Sequence, residues 1–201
     1  MRSVRSSVLA VLTAAFLAAP AAVHAGDTYL ALKGGVWVPT AADGWAEISS
    51  AGQQLSNGKF PASGDVELAY GAKLGIIGAQ IAAGYMWSTY TDPATGGKIA
   101  TNAVPFYAVG QLRLPIFFIQ PYLEAGIGGL ANFANVSGIN GSLSATKWSF
   151  LVIGGAGVDF ILGPILLGAE ARYMYATPQT FDWGQLKLSG VTITANVGYV
   201  F

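Results

Sequence analysis

The sequence predicts an all-β fold, an eight-stranded antiparallel up-and-down transmembrane β-barrel. Three observations predict it. Alternating apolar and polar residues recur in eight runs, the connections between runs alternate in length, and the composition is apolar with few charges. The alternation is plainest in Lys187 to Phe201. Val191, Ile193, Ala195, Val197, Tyr199 and Phe201 form a wholly apolar set, while Gly190, Thr192, Thr194, Asn196, Gly198 and Val200 are mostly small or polar. Successive side chains on a strand point to opposite faces, so this segment has one greasy and one polar face.

The chain begins with an export signal. Arg2 and Arg5 form a basic head, Val8 to Ala19 is an apolar run, and Val23-His24-Ala25 offers small residues for a signal peptidase. Cleavage after Ala25 is expected, because the run falls short of the roughly 20 apolar residues a spanning helix needs. Residues 1–25 are therefore read as a signal peptide and 26–201 as one barrel domain.

Composition excludes several classes. Removing Arg2 and Arg5 from 10 basic residues leaves 8 against 10 acidic ones, so no basic surface points to nucleic acid. There is no Cys, hence no disulfide, no Cys-ligated metal and no lipid-modified Cys. The one His, His24, lies within the signal. General-base catalysis near neutral pH leans most often on His. An enzyme is not expected, nor is any cofactor or metal site. The glycine run at Gly154 to Gly157 precedes no helix and lacks Lys, so it is no phosphate loop.

Strands are expected at about Thr28–Pro39, Asp65–Ile77, Ala79–Thr91, Ala103–Leu114, Phe118–Phe133, Lys147–Leu162, Ile165–Thr177 and Lys187–Phe201. Trp148 to Gly168 is apolar enough to suggest a spanning helix, but Gly154, Gly155, Gly157, Gly163 and Pro164 oppose one. Short turns are expected at Gly78, at the Pro115–Phe117 corner and at Gly163-Pro164. Longer, polar connections fall at Thr40–Gly64, Asp92–Asn102, Ala134–Thr146 and Pro178–Gln185. Bacterial outer-membrane barrels have short periplasmic turns, longer outside loops and an even strand number. In the first loop, Asp43 could cap a short helix with Trp45, Ile48 and Leu55 on its apolar side.

Parity assigns the faces. Leu30, Leu32, Val36, Val66, Leu68, Phe150, Val152, Leu167 and Tyr173 share the outward set. Trp87, Phe106, Phe133, Trp148 and Tyr175 are expected at the outer boundary, and Phe117, Phe160, Tyr199 and Phe201 at the inner one, as two aromatic girdles. Inward parity collects Lys33, Lys73, Arg113 and Arg172 with Glu67, Glu124, Asp159 and Glu170. Buried charges are costly unless paired, so these eight are expected to form an interior ion network. The many glycines at inward parity, among them Gly71, Gly75, Gly84, Gly155, Gly157 and Gly168, admit a second reading as a narrow solute path. A soluble barrel would reverse both faces, and parity alone does not choose between the two.

The chain resembles the small eight-stranded outer-membrane barrels of the OmpA/OmpX-like superfamily. The resemblance rests on Gly154-Gly155-Ala156-Gly157-Val158-Asp159-Phe160, Gly168-Ala169-Glu170-Ala171-Arg172-Tyr173, Val197-Gly198-Tyr199-Val200-Phe201 and Pro121 to Gly128. It implies that Tyr199 and Phe201 form the signal read by the barrel-assembly machinery. The sequence ends at the barrel, so a peptidoglycan-binding domain like that of OmpA is not expected. The expected role is a monomeric, non-catalytic barrel in outer-membrane lipid, structural or acting in surface interaction with an external ligand that is unknown. The alternatives are a narrow channel for small or hydrophobic solutes, similar to the OmpW-type barrels, and an adhesin acting through its loops.

Overall fold

The computed structural model describes residues 28–40, 49–50, 53–54, 61–91, 98–138, 141–181 and 184–201. Eight long strands carry the alternation seen in the sequence: β1 Thr28–Pro39, β2 Ser63–Leu74, β3 Ile77–Thr91, β4 Lys98–Arg113, β5 Ile119–Gly138, β6 Gly141–Leu162, β7 Ile165–Ala176 and β8 Gly190–Val200. Each pairs antiparallel with its neighbours in the chain, and β1 closes the barrel by pairing with both β2 and β8. Closure leaves no free strand edge, which a sheet in hydrocarbon requires. Two small ladders lie in the long connections, Ser49–Ser50 with Gln53–Gln54 and Gln179–Phe181 with Gly184–Leu186. No helix among the described residues is long and apolar enough to cross a membrane, and Trp148 to Gly168 instead supplies parts of β6 and β7.

Several boundaries differ from expectation, each for a local reason. The β2–β3 turn falls at Gly75-Ile76 rather than Gly78, because Gly75 takes the left-handed backbone a tight turn needs (φ 63°). Gly78 is an inward strand residue whose missing side chain leaves room for Arg113 Nε and Gln111 Oε1, each 3.3 Å from where a Cβ would stand. The connection at Ala134–Thr146 is largely strand. β5 and β6 stay paired out to Gly138↔Gly141, 20 and 22 residues long, where about 9–11 suffice to cross a bilayer. Its polar residues suggest a loop, yet a ladder rising into water tolerates polar side chains on both faces. Likewise β4 starts at Lys98 within the expected second loop. The last strand starts at Gly190 rather than Lys187. The short helix expected in the first loop is contradicted where Ser49–Ser50 pairs with Gln53–Gln54. Asp43, Trp45, Ile48 and Leu55, and the export signal of residues 1–25, lie outside the described residues.

The two faces separate as parity predicts. Among the described residues 32 large apolar side chains are exposed, including Leu32, Val66, Ile127, Phe150, Leu167 and Val197, and they ring the barrel. Patches larger than roughly a few hundred Å² are rare on soluble monomers, so a continuous band belongs in lipid. Charged residues occupy the inside instead: Lys33, Glu67, Asp159 and Arg172 are all buried. This excludes the soluble alternative. Aromatics gather at both ends of the band. Phe106 meets Trp148 (5.8 Å between centroids) and Tyr85 meets Trp87 (5.9 Å) at the loop end, and Tyr199 meets Phe201 (5.3 Å) at the turn end.

Candidate functional site: the charged interior

The interior is layered along the strands. Toward the loop ends the fill is largely apolar: Trp37, Met86, Leu130, Leu151, Met174 and Leu188 are buried together, beside a polar chain from Thr101 through Asn132 to Gln179. Toward the turns it is charged.

Arg172, on β7, centres the middle of the charged layer. Its guanidinium faces Glu67 Oε1, lies 3.0 Å from Glu170 Oε1 and 3.8 Å from Asp65 Oδ2, and donates through Nε to Thr192 Oγ1 at 2.9 Å. Tyr107 accepts a hydrogen bond from Arg172 Nη1, donates to Glu67 Oε2 at 2.6 Å, and lies beneath the guanidinium. Glu170 Oε2 also receives Lys33 Nζ at 2.6 Å and the Tyr122 hydroxyl at 2.7 Å. Planar five-donor Arg suits this role, because it can serve several carboxylates at once.

Arg113, near the end of β4, centres the layer nearer the turns. It donates to Asp159 Oδ2 at 2.7 Å, to Gln111 Oε1 and to the Tyr29 hydroxyl, with Tyr122 stacked 4.5 Å away. Tyr29 donates to Gln80 Oε1 at 3.0 Å. Gln111 Nε2 continues to Glu124 Oε2 at 3.1 Å. Lys73, half-buried by the turn, donates to Gln120 Oε1 at 3.1 Å and lies over the Tyr29 ring. Tyr122, under Arg113 and bonded to Glu170, thus joins the two centres into one network.

All eight expected residues, Lys33, Glu67, Lys73, Arg113, Glu124, Asp159, Glu170 and Arg172, lie along this inner wall. The expected four-to-four balance is corrected by a ninth charge. Asp65 is fully buried beside Arg172. It shares its strand and parity with Glu67, a signal that was legible but hidden by taking Asp65 as a strand end. The tyrosines 107 and 122 were also missed. A phenol at inward parity between arginines was the available clue, since a buried hydroxyl needs a partner.

The space at the inward glycines is taken up by their neighbours. A Cβ on Gly71 would strike the Tyr29 ring, on Gly84 it would come 2.6 Å from Glu67 Cγ, on Gly155 2.5 Å from Arg172 Cβ, and on Gly157 2.5 Å from the Tyr122 ring. On Gly168 it would strike Asp159. These are register partners across neighbouring strands. Each large polar side chain lies over a glycine, so the space glycine leaves is already occupied. Gly75 is not inward at all but in a turn.

Chemically, this arrangement fixes charge and leaves little room. A small pocket at the loop end is lined by Trp37, Met86, Trp87, Ser88, Thr101, Ala103, Leu130 and Leu188, and its exposed lining is apolar. No group of three or more His, Cys, Asp or Glu among the described residues is arranged to hold a metal ion.

Residues 7–201 match the sequence model of the family described as outer membrane protein beta-barrel domain. None of the curated proteins matches the chain. Among solved structures it is similar to Neisserial surface protein A (NspA), with 16% identity and a TM-score of 0.53 over 88% of this chain and 97% of that one. It is similar to Ail, the attachment invasion locus protein of Yersinia pestis, with 16% identity and a TM-score of 0.52 over 89% and 100%. A major outer membrane protein from Thermus thermophilus gives 9% identity and a TM-score of 0.55 over 87% and 99%. At these identities the likeness is one of fold.

Proposed function

The chain belongs to the outer membrane protein beta-barrel domain family, and from that premise we propose a non-catalytic barrel, closed to ions, that serves the outer membrane structurally and presents its outside loops for surface interaction. The observation that carries this reading is the filled interior. Arg172 and Arg113 tie Glu67, Glu170 and Asp159 across the lumen, and apolar side chains fill the space toward the loops. An eight-stranded barrel is just wide enough for side chains to fill it. NspA is named a surface protein and Ail an attachment invasion locus protein, which agrees with a role at the cell exterior. In this reading residues 1–25 direct export and are cleaved, Tyr199 and Phe201 are read by the barrel-assembly machinery, and the monomer sits in outer-membrane lipid.

The test is single-channel recording of refolded protein in a planar bilayer. Silence from protein verified as folded is expected. Reproducible steps that change when Lys73 or Glu170 is neutralised would overturn the closed barrel and favour a channel. The second reading, passage of small hydrophobic solutes, is favoured by the apolar pocket at the loop end. It predicts uptake of an apolar solute into vesicles without current, lost when Leu130→Arg blocks the pocket.

A further inference from the structure

The three short turns differ in chemistry from the long connections. Residues 74–77, 114–119 and 160–167 contain no charged side chain, whereas the long connections carry Asp, Glu, Lys, Ser, Asn and Thr. Turns that face water favour Gly, Pro, Asn, Asp and Ser. Here Leu74 is 83% exposed and Phe117 95%, with Ile77, Leu114, Ile116 and Leu162 also exposed. The apolar band therefore continues through the turns to the end of the molecule.

The backbone of the turns agrees. Ile76 O accepts from Arg113 N at 2.7 Å, Phe118 O from Ile161 N at 2.8 Å, and Pro164 O from Val200 N at 2.8 Å. Each turn's carbonyl is thus tied sideways to a following strand. Tying down backbone polar groups matters most where water is scarce. Phe117 adds a third sign. It holds φ at 59°, a conformation unfavourable for a bulky residue, where Gly or Asn would be relaxed. Its ring makes no use of the interior. It meets Phe118 (6.0 Å) and otherwise faces outward.

We propose that the turn end of the barrel is a lipid-docking rim, in which the three turns lie within the headgroup–acyl boundary of the phospholipid leaflet and Phe117 is the inserting side chain. The occupant is lipid because the rim is continuous with the lipid-facing band and shares its chemistry. Aromatic side chains prefer this boundary, and one carbonyl of each turn is already tied to a strand. The barrel consequently has no wet collar at this end.

The chain has no Cys, so a single introduced thiol reports one place. Phe117→Cys and Ile76→Cys are each spin-labelled in the full-length protein, refolded into phosphatidylethanolamine–phosphatidylglycerol vesicles. Ile127→Cys on the lipid face and Thr40→Cys at the loop end serve as references. The readout is collision with oxygen against collision with a water-soluble nickel chelate. Labels at 117 and 76 are expected to resemble 127, with nickel collisions several-fold below those at 40. Nickel collisions equal to those at 40 would overturn the proposal, leaving the rim in water for a protein partner. Spin–spin broadening that vanishes on dilution with lipid, with nickel access appearing, would overturn it in favour of a second copy. The label at 76 keeps the test decisive if Phe117→Cys fails to fold.

Discussion

Arg172 illustrates what a buried charge needs. It is 2% exposed and faces Glu67, Glu170 and Asp65, with a hydroxyl from Thr192 and another from Tyr107. Removing one partner of such a group leaves the others charged and dry, at a cost of about 3–5 kcal/mol. Arg172→Ala is therefore expected to lower unfolding stability by that order, measured by urea titration of the refolded barrel in lipid vesicles. Unchanged stability would mean that water reaches the carboxylates. Arg172→Lys keeps the charge but loses the fork, so it should recover only part of the loss. The eight inward charges, six of which form ion pairs with one another, were legible because parity is a two-residue rule that any strand obeys. Asp65 shares that parity with Glu67 but stands among the strand's first residues, where little flanking alternation marks it. The pairings themselves were not legible either. Which carboxylate meets which guanidinium depends on register between strands distant in sequence, such as Lys33 with Glu170.

At the scale of the strand, neighbouring glycines on β6 have opposite meanings. Gly154 faces lipid, and a Cβ there meets nothing within 4 Å. Gly155 faces in, where a Cβ would come 2.5 Å from Arg172 Cβ and 2.8 Å from Ala171 O. Gly154→Ala should be neutral or stabilising by about 0.5–1 kcal/mol, since a strand glycine has more backbone entropy to lose. Gly155→Ala should destabilise by about 1–3 kcal/mol through overpacking. The same urea titration separates the two, and equal effects would contradict the glycine-for-side-chain packing. In the sequence both lie in one run, Gly154 to Gly157, which offers space without saying what fills it. Strand ends were similarly ambiguous. Gly78 reads as a turn and Ala134 to Thr146 as a loop, because glycine and polar residues serve turns, close packing and wet ladders alike. Gly163-Pro164 was legible, since that dipeptide has few other uses.

At the scale of the whole molecule, the proposed reading puts two closures in series: an ion network toward the turns and a largely apolar layer toward the loops. Each answers a different solute. In that reading, the guanidinium–carboxylate pairs fill the turn side, and the layer of Trp37, Met86, Leu130, Leu151 and Met174, largely apolar around Thr101, Asn132 and Gln179, offers hydrated ions few polar partners. This makes a prediction that stability alone does not. Arg172→Ala should weaken the fold yet remain electrically silent in a planar bilayer, because the apolar layer still closes the lumen. Combining it with Leu130→Ser and Leu151→Ser, which wet that layer, should produce conductance steps. The triple variant must first show the slower-unfolding, heat-modifiable band of a folded barrel. Steps from Arg172→Ala alone would show that the apolar layer is no barrier and that the ion network closes the barrel by itself. Silence from a folded triple variant would place the closure elsewhere, in the connections above the barrel. Either result bears on function, since a barrel closed twice over is suited to holding its loops in place rather than to carrying current.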